Sequence, residues 1–151
     1  MPALRCHDAP ERGTREVKAP DEPVGATPQR DAPRILFFDG DLGGSGGAQR
    51  SNLYLASFLR ERGFPVALVH GNDGELTGAW CQIASSRLAL GSVRLPRRNP
   101  ILSGQRILKA VRFARAWRPD LVYCYSFDQL PLASLVARAC GAPILYHIRT
   151  P

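Results

Sequence analysis

Apolar and polar residues follow two alternating patterns along the chain, and these patterns predict its secondary structure. Short apolar runs indicate buried strands at 35–38, 66–69, 121–125 and 144–148, with a short third strand predicted within 88–95. Between the runs, apolar residues and helix-boundary signals predict helices over about 46–62, 75–85, 101–117 and 128–140. In the helix over 101–117, the predicted apolar stripe is Ile107, Leu108, Val111 and Ala114.

Strands and helices alternate from residue 34 to residue 151, which predicts an α/β fold. We expect a Rossmann-like three-layer sandwich, with a mainly parallel sheet and right-handed crossovers. Ligands of such sheets bind beyond the carboxyl ends of the strands. The candidate site is therefore formed by the loops at 39–47, 70–73, 125–128 and 148–151.

Residues 1–33 differ in composition from the rest of the chain. They hold six of the thirteen prolines and few large apolar residues. Such a segment buries too little surface to offset its chain entropy, so we predict a disordered tail before a single domain at 34–151. No apolar stretch approaches the roughly 20 residues that a membrane-spanning helix needs. The four cysteines show no metal-ligand spacing, and no metal site is predicted.

A glycine-rich loop joins the first strand to the first helix, with five glycines between Asp39 and Gly47. Backbone N–H groups at a helix N-terminus can face an anion, so a phosphate site is predicted here. The dinucleotide-binding fingerprint is incomplete, because Gln49 stands where its third glycine belongs and His70 ends the second strand in place of an acid. A turn that binds no ligand remains the alternative.

Three segments in order carry a family resemblance. They are Gly46-Gly47-Ala48-Gln49-Arg50 with the Leu-x-Leu-Ala-x-x-Leu-x-x-Arg-Gly helix that follows, Arg118-Pro119-Asp120-Leu121-Val122, and Gly141-Ala142-Pro143-Ile144-Leu145-Tyr146. Together they resemble the N-terminal domain of the family 4 glycosyltransferases with the GT-B fold.

The resemblance implies one half of a GT-B enzyme that moves a sugar, with retention, from a nucleotide sugar to a hydroxyl of a glycan or lipid-linked acceptor. It implies no cofactor besides the donor substrate and no metal. The donor-binding domain is expected to be absent from this chain and to be needed in cis or in trans, so the chain alone is expected to be inactive. A cytoplasmic enzyme of cell-envelope glycan synthesis, peripheral at the inner membrane face, is the expected setting.

The candidate site residues follow from the loop and from the resemblance. The substrate- or phosphate-binding candidates are Gly43, Gly44, Gly46, Gly47, Gln49, Ser126 and Arg149. Tyr125 and Arg149 are the catalytic candidates, since they stand where the family often has histidines. A tyrosine with a pKa of about 10 is a poor base, and arginine serves better to pair with phosphate. Strand packing for Tyr123 and Tyr125, an exposed charge for Arg149 and a structural role for His147 are the alternatives.

Positive charge is concentrated in the folded part. The whole chain carries a net charge of +7, whereas the tail has five basic and six acidic residues. The predicted anion or membrane patch comprises Arg94, Arg97, Arg98, Arg106 and Lys109, continued by Arg112, Arg115 and Arg118. Anionic lipid is one interpretation and a solvated face another; no nucleic acid is expected, because neither interleaved aromatics nor a nucleic-acid motif is present.

The sequence favours two function classes over a third, a basic nucleic-acid-binding module. One is the acceptor-binding half of a glycosyltransferase. The other is a non-catalytic Rossmann-like domain that binds a phosphorylated ligand or a protein partner.

Overall fold

The computed structural model describes residues 32–43, 46–96 and 98–148. In chain order, its elements are β1 (Ile35–Phe38), α1 (Gly47–Glu61), β2 (Val66–His70), α2 (Thr77–Ile83), β3 (Ser86–Ala89), α3 (Pro100–Trp117), β4 (Leu121–Cys124), α4 (Leu130–Cys140) and β5 (Ile144–Tyr146). The predicted alternation of strands and helices is confirmed. The predicted tail falls almost wholly outside the described residues and stays a prediction.

The five strands form one parallel sheet in the order β3-β2-β1-β4-β5. Along the chain, β2 and β3 are therefore added on one side of β1, and β4 and β5 are added on the other side. The crevice between β1 and β4 is the topological switch point, where ligands of such sheets bind. The predicted α/β class is thus confirmed, and the sheet brings the ends of β1 and β4 side by side.

The sheet is buried on both faces, which explains why its strands are continuous apolar runs. Leu36 and Phe38 of β1 pack on the side of α3 and α4, together with buried residues of those helices such as Val136. Ile35 and Phe37 point to the other side, where Trp80 of α2 completes a second core. These two cores separate three layers, as the sequence predicted.

The buried face of α3 differs in part from the predicted stripe. Leu108 is 48% exposed, whereas Ala110, Ala114 and Trp117 are buried. Successive helical residues are about 100° apart, so Leu108 lies off the stripe that Ile107 and Val111 share with the alanines. The prediction for Leu108 is wrong, and an aliphatic side chain remains on the outer face of the helix.

The third strand lies earlier than predicted. It runs from Ser86 to Ala89, and the rest of the window at 88–95 is a loop. Gly91 has a φ of 71°, which ends the extended backbone there. The residues after β3 are consequently available to line a site at the end of the sheet.

The two edges of the described sheet have different surfaces. At the β3 edge, Arg87 pairs with Asp73 at 3.7 Å. At the β5 edge, Ile144 and Leu145 are 37% and 50% exposed. Within the described residues, no helix is long and apolar enough to cross a bilayer.

The loops after β1 and β2 pack closely against each other. Gly71 N donates to Gly40 O at 2.8 Å, and Leu76 N donates to Leu42 O at 3.0 Å. A Cβ atom on Gly74 would lie 2.5 Å from Leu42 O and 2.8 Å from Gly43 N, both of them backbone atoms. Glycine at 74 is therefore required by the close approach of two backbones.

We predict that Gly74→Ala lowers the free energy of unfolding by about 1–3 kcal/mol, because the backbone of Leu42 must shift to admit a methyl group. Gly47→Ala is the matched control, since a Cβ there meets nothing within 4 Å. Urea unfolding of both variants measures the effect. A Gly74→Ala protein as stable as the control would show that the loops separate without cost.

Candidate functional site

A cavity of about 570 Å³ opens at the carboxyl ends of the strands. Apart from Gln49 of α1, its lining residues come from the loops after four strands: Gly40, Asp41, Asn72, Gly91, Ser92, Val93, Arg94, Tyr125, Ser126, Asp128 and Gln129. Three of the four predicted loops meet here. The fourth contributor, the loop after β3, was not predicted, because that segment was assigned to a strand.

Hydrogen bonds to the buried carboxyl group of Asp39 cross the switch point. Asp39 has no exposed surface and directly follows β1. Its Oδ1 accepts from Tyr125 Oη at 2.5 Å and from Gly40 N at 2.7 Å, and its Oδ2 accepts from Asn52 Nδ2 at 3.0 Å. One carboxyl group thus joins the ends of β1 and β4 to the buried side of α1.

Burial raises the pKa of Asp39 above its ordinary value, and the hydrogen bonds from Tyr125 and Asn52 oppose that rise. Asn52 Oδ1 is also buried and has no partner among the described residues. These hydrogen bonds therefore hold the carboxyl group of Asp39 in a buried position that disfavours its ionised form. Sequence reasoning missed Asn52; the signal was a polar residue on the buried helical face four positions before Ala56.

Gln129 supports the same corner from α4. Its side chain is buried, and the amide orientation that suits both neighbours has Nε2 donating to Phe38 O at 3.2 Å and Oε1 accepting from Gly40 N at 3.1 Å. His70 is buried at the end of β2, where burial lowers the pKa of its imidazole. Its neutral form is thereby favoured next to the cavity.

The glycine loop is closed by Gln49. Gln49 Nε2 donates to Asp41 O, and Gly46 N donates to Gln49 Oε1 at 3.4 Å. Gly46, the residue before α1, has an extended backbone with a φ of −101°. Neither Gly46 nor Gly47 has a positive φ, so the backbone does not require glycine there; open space remains beside Gly47.

The profile of the family described as a glycosyl transferase 4-like domain matches residues 46–151. The chain belongs to this family. The resemblance seen in the sequence is thereby confirmed. Among curated proteins, no match was found.

Solved structures support the fold of this glycosyl transferase 4-like domain. MurG from Acinetobacter baumannii is similar with a TM-score of 0.59 and 19% identity, over 77% of this chain and 35% of that one. HepE from Anabaena, in complex with UDP, is similar with a TM-score of 0.55 and 23% identity, over 76% of this chain and 29% of that one. The C-terminal domain of a hydrogenase from Pyrococcus furiosus is similar with a TM-score of 0.51 and 15% identity, over 85% of this chain and 100% of that one.

These likenesses have two consequences. The chain spans about a third of the length of the two glycosyltransferases, MurG and HepE. The hydrogenase domain shows that the same fold occurs with other chemistry, so the structural likeness shows the fold alone.

Only some of the predicted site residues of the glycosyl transferase 4-like domain line the cavity. Tyr125, Ser126 and Gln49 line the cavity. Gly43, Gly46 and Gly47 lie in or beside the loop before α1 and are not among the residues that line it. Gly44, Arg97 and Arg149 lie outside the described residues. The binding and catalytic roles of all these residues stay predictions.

Tyr123 of β4 and Tyr125, which directly follows this strand, have different surroundings in the domain. Tyr123 is buried against Phe37, with ring centroids 4.9 Å apart, and its hydroxyl lies 2.9 Å from His147 Nδ1. This agrees with strand packing for Tyr123 and a structural role for His147. Tyr125 instead faces the cavity.

One member of the predicted basic patch, Arg94, lines the cavity. Arg94 lies at the cavity and pairs with Asp128 at 2.6 Å, while Arg106 Nη1 donates to Arg94 O at 2.8 Å. Arg98 and Lys109 are exposed elsewhere. Arg94 thus belongs to the lining of the cavity as well as to the predicted patch, and the role of the patch stays a prediction.

A second cavity of about 370 Å³ adjoins the first. It is lined by Ala48, Tyr125, Ser126, Phe127, Asp128, Tyr146 and Ile148, and three of these residues are shared with the larger cavity. In the described part of the chain, no group of three or more His, Cys, Asp or Glu side chains is placed to hold a metal ion.

We predict that Asp39→Asn preserves or raises stability at neutral pH, since Asn52 can turn its unpartnered Oδ1 toward the new amide. The raised pKa of Asp39 means that its contribution to stability is present below pH 3.8 and is lost as pH rises through the folded-state pKa. The stability of Asp39→Asn relative to the parent should therefore increase with pH above 3.8.

Tyr125→Phe is the comparison for this prediction. It leaves the buried carboxyl group in place and removes one donor, so a loss of about 1–3 kcal/mol is expected. Urea unfolding from acid to neutral pH measures both variants. An Asp39→Asn protein that is less stable than Tyr125→Phe at neutral pH would contradict this account of the network.

Proposed function

We propose that this domain is the acceptor-binding half of a glycosyltransferase that transfers a sugar from a nucleotide sugar to a hydroxyl of a glycan or lipid-linked acceptor. The family match over residues 46–151 carries the proposal. The cavity at the ends of the strands supports it, because sugar hydroxyls both donate and accept hydrogen bonds. Asp41, Ser126 and Asp128 supply acceptors there, and Arg94 supplies donors.

The proposed roles of the residues follow from their positions. The loop at Gly43, Gly46 and Gly47 faces the phosphates of the donor, helped by the field of α1 at its N-terminus. The hydroxyl of Tyr125 donates a hydrogen bond to Asp39 Oδ1, so the ring is held in a fixed orientation at the cavity wall. Within the proposal, Tyr125 orients an acceptor hydroxyl and does not act as a base.

The donor half is proposed to lie outside this chain, in cis or in trans, where it binds the nucleotide sugar. HepE, one of the similar structures, was solved in complex with UDP, which fits a nucleotide-sugar donor. Retention of anomeric configuration, independence of a metal ion and action at the cytoplasmic membrane face belong to the same proposal.

We predict no measurable transfer by the 151-residue chain alone and transfer when a donor-binding half is supplied, because the leaving diphosphate otherwise has few ligands. The assay uses a panel of nucleotide sugars with glycan and lipid-linked acceptors. Turnover by the isolated chain would contradict the two-half arrangement. Inactivity of both forms, with tight binding of a phosphorylated ligand, would favour a non-catalytic binding domain.

A basic surface on α3 supports the proposed membrane location. Residues 76–119 contain nine basic residues and no acidic one. Lys109 and Arg112 are exposed on α3, and the same helix carries the aliphatic side chains of Ile101 and Leu108, which are 74% and 48% exposed. Exposed apolar groups among cations fit an anionic lipid surface, where headgroups pair with the charges.

We predict that Arg112→Glu weakens flotation with anionic vesicles, since each basic group near such a surface contributes about 1 kcal/mol. Arg60→Glu, an equal charge change at an exposed position of α1, is the control and should bind as the parent does. Binding of the parent should fall with salt, because the Debye length is about 10 Å at 0.1 M. Equal recovery on neutral and anionic vesicles would contradict binding to anionic lipid and indicate that the basic residues form a solvated face.

A further inference from the structure

Phe127 is an exposed aromatic side chain at the edge of the polar site. It is 74% exposed and lies in the turn after β4, between Ser126 and Asp128. Both neighbours line the larger and the smaller cavity, whereas Phe127 lines only the smaller of these two. An apolar ring is thus placed where the polar cavity continues outward.

The ring does not stand alone. Tyr146 of β5 lies beside it, with ring centroids 5.3 Å apart and planes inclined by 53°. Ile148, which is 67% exposed, lines the same cavity. Exposed apolar surface bordered by polar groups is typical of ligand-binding grooves. Here the packing of the fold gives no reason for the exposure, because Phe127 belongs to neither core.

The chemistry of the lining indicates which ligand fits. A pyranose ring has a face of C–H groups and an edge of hydroxyls. The C–H face matches the negative face of an aromatic ring, and the hydroxyls match the carboxylate of Asp128 and the hydroxyl of Ser126. A purely aliphatic chain would form no hydrogen bond with those two groups.

We propose that Phe127, flanked by Tyr146, is a stacking platform for a second sugar ring of the acceptor, while the first ring occupies the larger cavity. This inference rests on the proposed function and deepens it, because it makes a glycan of two or more sugars the preferred acceptor. The shared lining residues Tyr125, Ser126 and Asp128 are the passage between the two subsites.

The test compares single sugars with pairs of sugars on the full 151-residue chain. Glucose, galactose and N-acetylglucosamine are titrated beside cellobiose, lactose and chitobiose, with affinities read from NMR shifts. At least one disaccharide is expected to bind more tightly than its monosaccharide. Phe127→Ala should reduce that disaccharide's affinity about 3- to 10-fold and leave the monosaccharide unchanged. Phe127→Tyr, which keeps an aromatic face, should restore it.

Tyr54→Ala is the matched control. Tyr54 is 71% exposed on α1, close to the exposure of Phe127, but it lines neither cavity. Its removal should change no affinity. The platform is overturned if Phe127→Ala binds every disaccharide as the parent does, if the parent binds no sugar of the panel, or if the variant alters only thermal stability or self-association, which would indicate a surface covered by polypeptide.

A transfer assay with the donor half supplied separates this inference from the proposed function. If sugar is transferred and Phe127→Ala leaves the KM for a disaccharide acceptor unchanged, the platform is wrong and the proposed function stands. If the chain binds disaccharides through Phe127 and no nucleotide sugar supports transfer, the proposed function fails and the platform remains as a glycan-binding site.

Discussion

The hydrogen bonds to Asp39 hold together the part of the molecule on which the candidate site depends. A parallel sheet that reverses its direction of growth leaves a crevice between β1 and β4, and among the described residues no backbone hydrogen bond joins the loops that follow these two strands. Asp39 joins the end of β1 to Tyr125 after β4 and to Asn52 of α1. The orientation of Tyr125 at the cavity wall is therefore determined by a carboxyl group that the ligand does not need to touch.

Much of the fold is readable from the sequence because the strands are buried on both faces. Runs such as Val66–His70 carry no polar alternation until their last residue, and the glycine loop separates β1 from α1 clearly. Positions near Gly91 were harder to predict. The positive φ of Gly91 ends the extended backbone after β3, whereas the apolar residues around it favoured a strand in place of the loop that lines the cavity.

The candidate site was predicted as a set of loops more successfully than as a set of residues. Asp39 entered the prediction only as the first residue of a loop, and Asn52 did not enter it. Their importance comes from contacts between residues far apart in the chain, such as the 86 positions that separate Asp39 from Tyr125. Leu108 shows the same limit, since its apolar character led to its assignment to the inner face, whereas packing leaves it 48% exposed.

The unlike edges of the sheet have a practical consequence for handling the protein. A strand with exposed aliphatic side chains and a single neighbour can accept a strand from another molecule, whereas a charged edge resists such pairing. In the described part of the chain, β5 has one neighbour, β4, and exposes Leu145. Concentrated samples are therefore expected to self-associate through β5, and a lysine at position 145 is the natural substitution for keeping them monodisperse.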